Sequence, residues 1–527
     1  MTQVMKTGLL LVPLLVVTAC GSTVSGTGTA AGGLSGSGLG VGDAGTPAPV
    51  AGATGSAPGG SVGSATGSTS GGATSTTGTG TGTSATTTGD TTGGATALPG
   101  GNAVGVTATT ITVGLPYSVN SKAAAAALGV SGAGVGGGDQ RAQWRAIIDD
   151  INSDGGVLGR KVVPQYHAFD STSTQSLDQQ YQAACSDWTQ DHHVFAVLEG
   201  DSTQAQTLLQ CLSKKGVVQV WESPTLSDTA TFKRFPHYIE VGTLGMDRVA
   251  RAWPKQLLNL DYFSGWNTVT GTPAKVPAKV GILTFDNQVS VNAVDTILVP
   301  ALKAMGLTPI VAKVLYPTAE ADNGTSIAQT QNAVLKFKAS GVTHVLPYDS
   351  QGAGILGFFA QGANSQKYYP RYGLTSNDGA QILYATNLIP KAQLNGAVGF
   401  GWEPFLDVSD AYNPDNGPDS NAARRSCLAL MKKNGQDVSS SIVKRQAIQG
   451  CDQFSFLKAA LEKAGGNPTP ESFLTGVNSI GESFVSGVTF RTHFDSLQHN
   501  GVAAVRAFGY VPACDCFRYT GPLTTVS

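Results

Sequence analysis

The chain has 527 residues, with 33 Lys and Arg residues against 35 Asp and Glu residues and a formal net charge of −2. Only 13% of the residues are charged, about half of the ~25% that is usual in soluble proteins. This balance argues against a nucleic-acid-binding protein, which usually carries a basic excess or a basic patch. At roughly 150 residues per domain, the length alone suggests about three domains.

The first twenty residues have the layout of a secretory signal. One positive charge, Lys6, precedes an apolar run over 8–17 that is too short to span a bilayer. The run ends in the sequence VTAC at Cys20 and resembles the lipobox of bacterial lipoproteins. That resemblance implies lipidation of Cys20, removal of the peptide ahead of it, and a membrane anchor. The alternative is an ordinary signal peptide with a chance cysteine.

Residues 21–104 are predicted to be a disordered tether. Gly, Thr, Ala and Ser occupy 67 of the 80 positions in 21–100, and the stretch has no aromatic residue. Such a segment buries too little apolar side chain to offset the entropy of ordering its backbone. A random coil of about 80 residues has a root-mean-square span of roughly 50 Å, so the folded part beyond residue 104 could reorient near a membrane.

Cysteine usage agrees with export. Without Cys20 the chain has six cysteines, an even number that suggests disulfides in an exported protein. Fifteen pairings are possible, and proximity in sequence favours three of them: Cys185–Cys211, Cys427–Cys451 and Cys514–Cys516. The last pair would close a very small ring, so a metal or redox role is its alternative. Zinc needs about four N or S ligands, and no Cys/His pair stands near it in sequence.

From residue 109 onwards, apolar strands alternate with amphipathic helices in two successive runs. This pattern predicts parallel sheets covered on both faces, with right-handed crossovers, and so two Rossmann-like α/β lobes. The first run has strands at 110–115, 161–168, 194–198, 217–221 and 238–241, with helices at 140–152, 174–189 and 203–214. The second run has strands at 279–285, 308–315, 342–346, 371–375 and 397–400, with helices at 289–305, 326–339 and 353–361. The final third has helices near 420–434, 445–464 and 470–478, and strands near 484–490 and 503–511.

We therefore divide the folded part into four segments that alternate between two hinged lobes. They are a first part of lobe 1 at 105–242, a first part of lobe 2 at 243–396, a return to lobe 1 at 397–482, and C-terminal strands crossing to lobe 2 at 483–527. Ligands of open parallel sheets bind beyond the carboxyl ends of the strands, near a topological switch point. A ligand cleft between the lobes is the expected site.

The loops after the predicted strands carry the candidate ligand contacts. In lobe 1 these are Tyr117, Ser118, Ser202, Thr203, Ser223 and Thr225, and in lobe 2 they are Asp286, Tyr348, Asp349 and Ser376. Ser202 or Thr203 is a natural N-cap, and the free backbone N–H groups beyond it would favour a carboxylate. The alternative is that Ser202 only caps its helix. Asp286, Asp349 or Glu222 can neutralise an ammonium group, although an acid in a loop is more often simply solvated.

One segment resembles a known family. The sequence INSDGGVLGRKV at 151–162 is similar to the INxxGGvxGRkv segment, between a helix and a strand, of type I periplasmic solute-binding proteins. Residues 106–111, 169–171 and 372–377 resemble the opening strand, the aspartate after a strand and a ligand loop of that family. The branch most similar serves branched-chain amino-acid and amide ABC transporters, and the resemblance extends over about 104–510.

The resemblance implies two Rossmann-like lobes, joined by three crossovers, that close over a solute. Family members usually hold an α-carboxylate with Ser/Thr hydroxyls and backbone N–H groups of the first lobe, where Ser202, Thr203, Ser223 and Thr225 fall. They usually hold the ammonium with an acid and an aromatic, and no unique acid can be carried over here. The long Ala- and Gly-rich loop at 121–138 also departs from the family pattern.

These observations favour a lipid-anchored extracytoplasmic receptor that delivers a small polar solute to an ABC permease. The solute would be an amino acid, an amide or an organic acid. The alternatives are a sensory binding module with a membrane signalling partner, or a ligand-free surface scaffold. A GxGxxG match at 132–137 lies too far from its strand for a nucleotide site, and His192-His193 lacks companion ligands for zinc. We therefore expect no cofactor, no metal and no enzymatic activity.

Overall fold

In a computed structural model of the protein, the described part of the chain comprises residues 103–120, 123, 138–199, 206–222, 226–317, 322–348, 354–385, 387–413, 417 and 420–526. The predicted signal segment, Cys20 and the tether up to residue 102 lie outside it. The described residues build two largely parallel sheets with helices packed on both faces. This arrangement confirms the predicted α/β class with two Rossmann-like lobes.

The first sheet, the centre of lobe 1, is fully parallel. Its five strands are β1 (Thr110–Val119), β2 (Lys161–Asp170), β3 (Ala196–Glu199), β4 (Val218–Trp221) and β5 (Tyr238–Glu240). They lie in the order β2-β1-β3-β4-β5, so the chain reverses direction across the sheet between β1 and β3. That reversal is the topological switch point of a doubly wound sheet.

Side chains of these strands alternate between two hydrophobic clusters, as the two-residue period of a strand requires. In β4, Val218 and Val220 face one cluster, whereas Trp221 faces the other. Both clusters are closed by helices, so both faces of the sheet are buried. This explains why every residue of β3 and β4 is buried, including the polar Glu199 and Gln219.

The second sheet, the centre of lobe 2, has seven strands. They are β8 (Val280–Phe285), β9 (Ile310–Val314), β10 (His344–Tyr348), β11 (Arg371–Thr375), β12 (Val398–Gly401), β13 (Ala504–Val511) and β14 (Cys516–Thr525). The order is β14-β13-β12-β11-β10-β8-β9, and only β13 and β14 pair antiparallel to their neighbours. The predicted lobe boundary at residue 396 precedes β12, which pairs with β11, so this sheet continues to Gly401. A separate two-stranded hairpin consists of β6 (Trp266–Asn267) and β7 (Thr272–Pro273).

Helices connect the strands and cover both sheets. They are α1 (Gln140–Ser153), α2 (Leu177–Ser186), α3 (Gln206–Lys214), α4 (Thr229–Arg234), α5 (Met246–Asn259), α6 (Gln288–Ala293), α7 (Val299–Ala304), α8 (Asp322–Ala339), α9 (Gly354–Ser365), α10 (Ala380–Ala385), α11 (Pro404–Asp407), α12 (Ala422–Lys433), α13 (Ser441–Ala464) and α14 (Pro470–Ile480). Among the helices of the described part of the chain, none combines the length and apolar character that a bilayer crossing needs.

Two predictions about the C-terminal part differ from the structure. The predicted strand at 484–490 is an irregular segment, because its backbone is bound by a buried carboxylate. The N–H groups of Gly487 and Val488 donate to Asp452 at 2.8 and 3.2 Å. Conversely, β14 is a strand that the sequence pattern does not predict. Most of its side chains lie outside the core. It also contains Gly521 and a proline, two residue types that are depleted in strands.

Three connections join the lobes, at residues 241–245, 402–421 and 481–503. The first and third run side by side, because Glu240 and Asn500 form a parallel bridge. The buried Arg248 at the start of α5 donates to the carbonyl groups of Asn500, Val502 and Val526 at 3.1, 2.7 and 3.3 Å. One guanidinium therefore ties lobe 2 to the third crossover.

The structure contains the three disulfides that proximity in sequence favours. Cys185–Cys211 joins α2 to α3, and Cys427–Cys451 joins α12 to α13. Each therefore links two helices within lobe 1. Cys514–Cys516 lies at the turn between β13 and β14.

Replacement of Gly476 by alanine should destabilise the packing of α13 against α14. A Cβ atom at Gly476 would lie 1.8 Å from the carbonyl oxygen of Ala460, so the helix backbones must separate. We expect a loss of about 1–3 kcal/mol in the free energy of unfolding, the usual cost of overpacking. Gly324→Ala in α8 is the matched control, because nothing lies within 4 Å of its Cβ position. The free energy of unfolding of that variant should rise by roughly 0.5–1 kcal/mol. Equal urea midpoints for the two variants would contradict this prediction.

Candidate functional site

The predicted contacts that the structure describes lie at the carboxyl ends of strands: Tyr117 and Ser118 in β1, Asp286 after β8, Tyr348 in β10 and Ser376 after β11. In lobe 1 the switch point lies beyond Val119 at the end of β1 and Glu199 at the end of β3. In lobe 2 it lies beyond Phe285 at the end of β8 and Tyr348 at the end of β10. Loops at such points are where doubly wound sheets bind ligands.

In lobe 1, Tyr117 belongs to an aromatic and cationic group at the end of β1. Its ring lies edge-on to Tyr166, with 6.3 Å between the ring centroids. The guanidinium of Arg141, in the first turn of α1, lies 5.5 Å from the Tyr117 ring centroid and 4.9 Å from that of Tyr166. Ser118, next in β1, is exposed. Tyr117 and Ser118 thus reach the surface at the carboxyl end of the strand.

In lobe 2, the three described candidates already have partners within the protein. Asp286 is exposed and accepts a hydrogen bond from the Tyr316 backbone N–H at 2.8 Å. The hydroxyl of the buried Tyr348 donates to the carbonyl oxygen of Met246 at 2.5 Å. Ser376 Oγ, also buried, accepts from the Trp402 backbone N–H at 2.7 Å. These contacts give all three residues a structural role that sequence reasoning did not anticipate.

Five of the predicted contacts cannot be placed. Ser202, Thr203, Ser223, Thr225 and Asp349 lie outside the described residues. They remain predictions that rest on their positions in the chain after β3, β4 and β10.

Glu222, one of the acids considered for an ammonium group, is a buried carboxyl at the end of lobe 1. It follows β4, is 1% exposed, and its Oε2 accepts from the Gly242 backbone N–H in the first crossover at 2.9 Å. Its Oε1 has no hydrogen-bond partner within the described part of the chain. Burial, reinforced by the nearby carboxylates of Asp452 and Glu403, raises the pKa of Glu222 well above its ordinary value of 4.5. Glu222 is therefore a buried carboxyl with a raised pKa where lobe 1 meets the first crossover.

Sequence reasoning missed an ion pair that joins the second crossover to lobe 1. Glu403, in the second crossover, pairs with Arg445 near the start of α13. A second contact, from Arg445 Nη2 to Glu403 Oε2, measures 3.3 Å. The side chains are 3% and 11% exposed, respectively. Glu403 lies two residues beyond the end of β12, so the same rule that selected residues after the other strands would have found it.

Two further buried acids organise the crossovers. Asp452 on α13 binds the third crossover through Ser486, Gly487 and Val488, and burial raises its pKa to about 6. Asp407 at the end of α11 accepts from the Glu403 backbone N–H at 3.1 Å, and burial raises its pKa to about 8. A carboxyl group with a raised pKa thus lies at each connection: Glu222 at the first, Asp407 at the second and Asp452 at the third.

The charged groups of the described residues do not form a metal centre. No group of three or more His, Cys, Asp or Glu side chains in this part of the chain has a geometry that could hold a metal ion. The acids at the crossovers bind backbone N–H groups, hydroxyls and an arginine instead.

Comparison with known proteins agrees with this fold. The model of the periplasmic binding protein family matches residues 131–510, more than two thirds of the chain. No curated protein matches the sequence significantly. Similar solved structures share the fold at low sequence identity.

A possible leucine/isoleucine/valine-binding protein from Rhodopirellula baltica SH 1 has a TM-score of 0.52 at 13% identity, covering 79% of this chain and 97% of its own. A fatty acid ABC transporter substrate-binding protein from Thermomonospora curvata has a TM-score of 0.52 at 15% identity, covering 81% and 94%. An ABC transporter solute-binding protein from R. palustris, in complex with 4-hydroxybenzoate, has a TM-score of 0.52 at 14% identity, covering 79% and 97%. The likeness of these structures shows the fold, and the family match over most of the chain shows that it belongs to the periplasmic binding protein family.

Proposed function

We propose that this protein is a lipid-anchored extracytoplasmic receptor that captures a small polar solute and delivers it to an ABC permease. The observation that carries the proposal is the pair of doubly wound sheets joined by three connections. Two lobes linked in this way can close by bending the connections, and a ligand that contacts both lobes favours the closed state.

The proposed site lies at the two switch points. Its lobe 1 side consists of Tyr117 and Ser118 with the loops after β3 and β4, which supply Ser202, Thr203, Ser223 and Thr225. Hydroxyl and backbone N–H groups at the start of a helix suit a carboxylate. An amino acid, an amide or an organic acid is therefore the proposed solute class.

The lobe 2 side is proposed to act mainly through Asp349 and the loop after β10. The hydrogen bonds of Asp286, Tyr348 and Ser376 are directed within the protein, which supports a positioning role for these residues. Lipidation of Cys20 would hold the receptor at the outer face of the cell membrane, where the tether lets it reach its permease.

The proposal predicts that the Ser202→Ala/Thr203→Ala double variant loses affinity for a carboxylate solute. The variant removes the two hydroxyl groups that are proposed to contact the carboxylate. Loss of a helix cap by itself lowers the free energy of unfolding of the unliganded protein by about 1–2 kcal/mol. A panel of amino acids, amides and organic acids is screened first by thermal unfolding of the wild type. A ligand at 100 times its dissociation constant stabilises the protein by about 2.7 kcal/mol. Calorimetry with the best solute then compares wild type and variant.

Three outcomes separate the possibilities. Weaker binding with apo stability within the cost of a cap supports the proposed site. Unchanged affinity removes Ser202 and Thr203 from the site while leaving the receptor function standing. If no solute of the panel shifts unfolding, the receptor function itself fails, and a sensory or scaffolding role takes its place.

A further inference from the structure

The turn between β13 and β14 contains a disulfide that the receptor function does not use. Cys514 and Cys516 are separated by one residue, whereas the cysteines of the other two disulfides are 26 and 24 positions apart. In β13, Gly509 pairs with Val398, the first residue of β12. The turn therefore lies at the end of the sheet opposite to the proposed solute site.

The residue between the cysteines lies in the turn of the hairpin. Asp515 has a φ of 54°, in the left-handed region, which Asp adopts more readily than most residues. The ring leaves only this residue between the two cysteines, and cleavage of the S–S bond removes that restraint from the turn. A restrained or exposed disulfide is the kind that thiols reduce most readily.

The disulfide also lies within reach of a reagent in solution. Cys514 is half-buried, and Ala513 and Asp515 on either side of it are exposed. Cys516 is only 5% exposed and is the first residue of β14. An attacking thiolate would therefore approach the sulfur of Cys514, and Cys516 would be the leaving group.

Other contacts hold the hairpin without the disulfide. The hydroxyl of Tyr510 donates to the carboxylate of Asp515, and Lys391 Nζ lies 2.9 Å from Asp515 Oδ2. The β13–β14 ladder continues from the pair Val511 and Cys516 to the far end of both strands. Loss of the S–S bond therefore leaves the strands paired.

The two helix-linking disulfides have a different environment. Cys185 and Cys427 are 0% and 4% exposed and belong to hydrophobic clusters of lobe 1. Their partners, Cys211 and Cys451, are half-buried like Cys514, but they pack against the same clusters and their chain neighbours are half-buried or buried. A reductant therefore has less access to them than to Cys514, whose two neighbours are both exposed.

We propose that Cys514–Cys516 is an exchangeable disulfide, reduced by a dithiol or a thiol–disulfide oxidoreductase while the chain stays folded and the other disulfides stay intact. A thiolate of the dithiol attacks Cys514, forms a mixed disulfide, and releases Cys516 as a thiolate that takes up a proton. The second thiol of the dithiol then attacks the mixed disulfide. It releases Cys514 as a thiol and leaves the reductant as a disulfide, so two electrons pass to the protein.

The test is reduction of the oxidised native protein with graded dithiothreitol, followed by alkylation and mass spectrometry of each cysteine. We expect half-maximal alkylation of Cys514 and Cys516 at a dithiothreitol concentration at least tenfold below that of the other four cysteines. The double variant Cys514→Ser/Cys516→Ser is the control, and labelling of its remaining cysteines should match the wild type. Amide hydrogen exchange of the selectively reduced protein should change in the turn and not in the β13–β14 ladder.

Two results would overturn the proposal. In one, all six cysteines react together, and only at concentrations where hydrogen exchange shows that the lobes unfold. In the other, the helix-linking pairs react before Cys514 and Cys516. Neither result bears on solute binding, because the turn lies at the opposite end of the sheet.

Discussion

Replacement of Arg445 by methionine should lower the free energy of unfolding by about 3–5 kcal/mol, because it leaves a buried carboxylate without its cation. The partner, Glu403, is 3% exposed in the second crossover, and Arg445 is 11% exposed at the start of α13. Glu403 cannot recover the lost interaction with water without opening the contact between crossover and lobe. Urea unfolding followed by tryptophan fluorescence measures the loss.

The controls separate the ion pair from simple loss of packing. The double variant Arg445→Met/Glu403→Gln removes both charges, and it should recover most of the lost stability, since neutral replacement of both partners of a buried pair is often tolerated. Lys313→Met breaks an exposed pair with Asp295, whose atoms lie 2.7 Å apart with side chains 38% and 46% exposed. That variant should change stability by less than about 1 kcal/mol. If Arg445→Met and Lys313→Met lowered the free energy of unfolding by similar amounts, the buried pair of Glu403 and Arg445 would contribute no more to stability than an exposed pair.

The general fold could be predicted from the sequence because the hydrophobic pattern determines it. The run VGILTF in β8 is buried at every position, and such a run between helices indicates a central parallel strand. The pairing of Cys185 with Cys211 was likewise accessible, since the two predicted helices that carry them follow each other in the chain. Local pattern and chain order were sufficient for both.

The partners of polar side chains could not be predicted in the same way. Tyr348 follows the strand-end rule, but its side chain points to the face of the sheet that α5 covers, where it reaches Met246. Which face a strand-end residue occupies depends on the register, and a shift of one residue reverses it. Glu403 and Arg445 are 42 residues apart, so no local pattern connects them. The geometry at the crossovers follows only from the packed lobes.

Stability should fall as the pH rises from about 4 to 8, because buried acids at the crossovers hold protons in the folded state. Burial raises the pKa of Asp407 from 3.8 to about 8, and the nearby Glu403 charge raises it further, although hydrogen bonds from Tyr519, Ser376 and the Glu403 backbone oppose the rise. Between these two pH values the folded state keeps a proton that the unfolded chain has released. Unfolding then releases a proton, so Asp407 alone lowers the free energy of unfolding by about 1.4 kcal/mol for each pH unit. Its contribution is fully present below pH 3.8 and is lost by about pH 8.

Two other buried acids have lower pKa values than Asp407 in the folded state. The dependence of unfolding free energy on pH above pH 7 therefore reports mainly on Asp407. The pKa of Asp452 is raised to about 6 and that of Glu240 to about 7, both by burial. The contribution of Asp452 is therefore lost by about pH 6 and that of Glu240 by about pH 7, whereas Asp407 titrates near pH 8 in the folded state. Glu222, whose pKa burial also raises, is present in every variant and cancels in the comparison.

Asp407→Asn should therefore flatten the dependence of unfolding free energy on pH between 6 and 8 by roughly 1.4 kcal/mol per pH unit. The slope is the measured quantity, since the amide also changes the absolute stability through the Oδ1 position, which has no partner within the described residues. Asp437→Asn is the matched control: it makes the same substitution at an exposed site where hydrogen bonds from Ser439 lower the pKa of the carboxyl. Asp437 is fully ionised throughout this range in both states, so its variant should keep the slope of the wild type. Parallel slopes for wild type and Asp407→Asn in urea unfolding at pH 6, 7 and 8 would show that Asp407 is ionised in the folded protein.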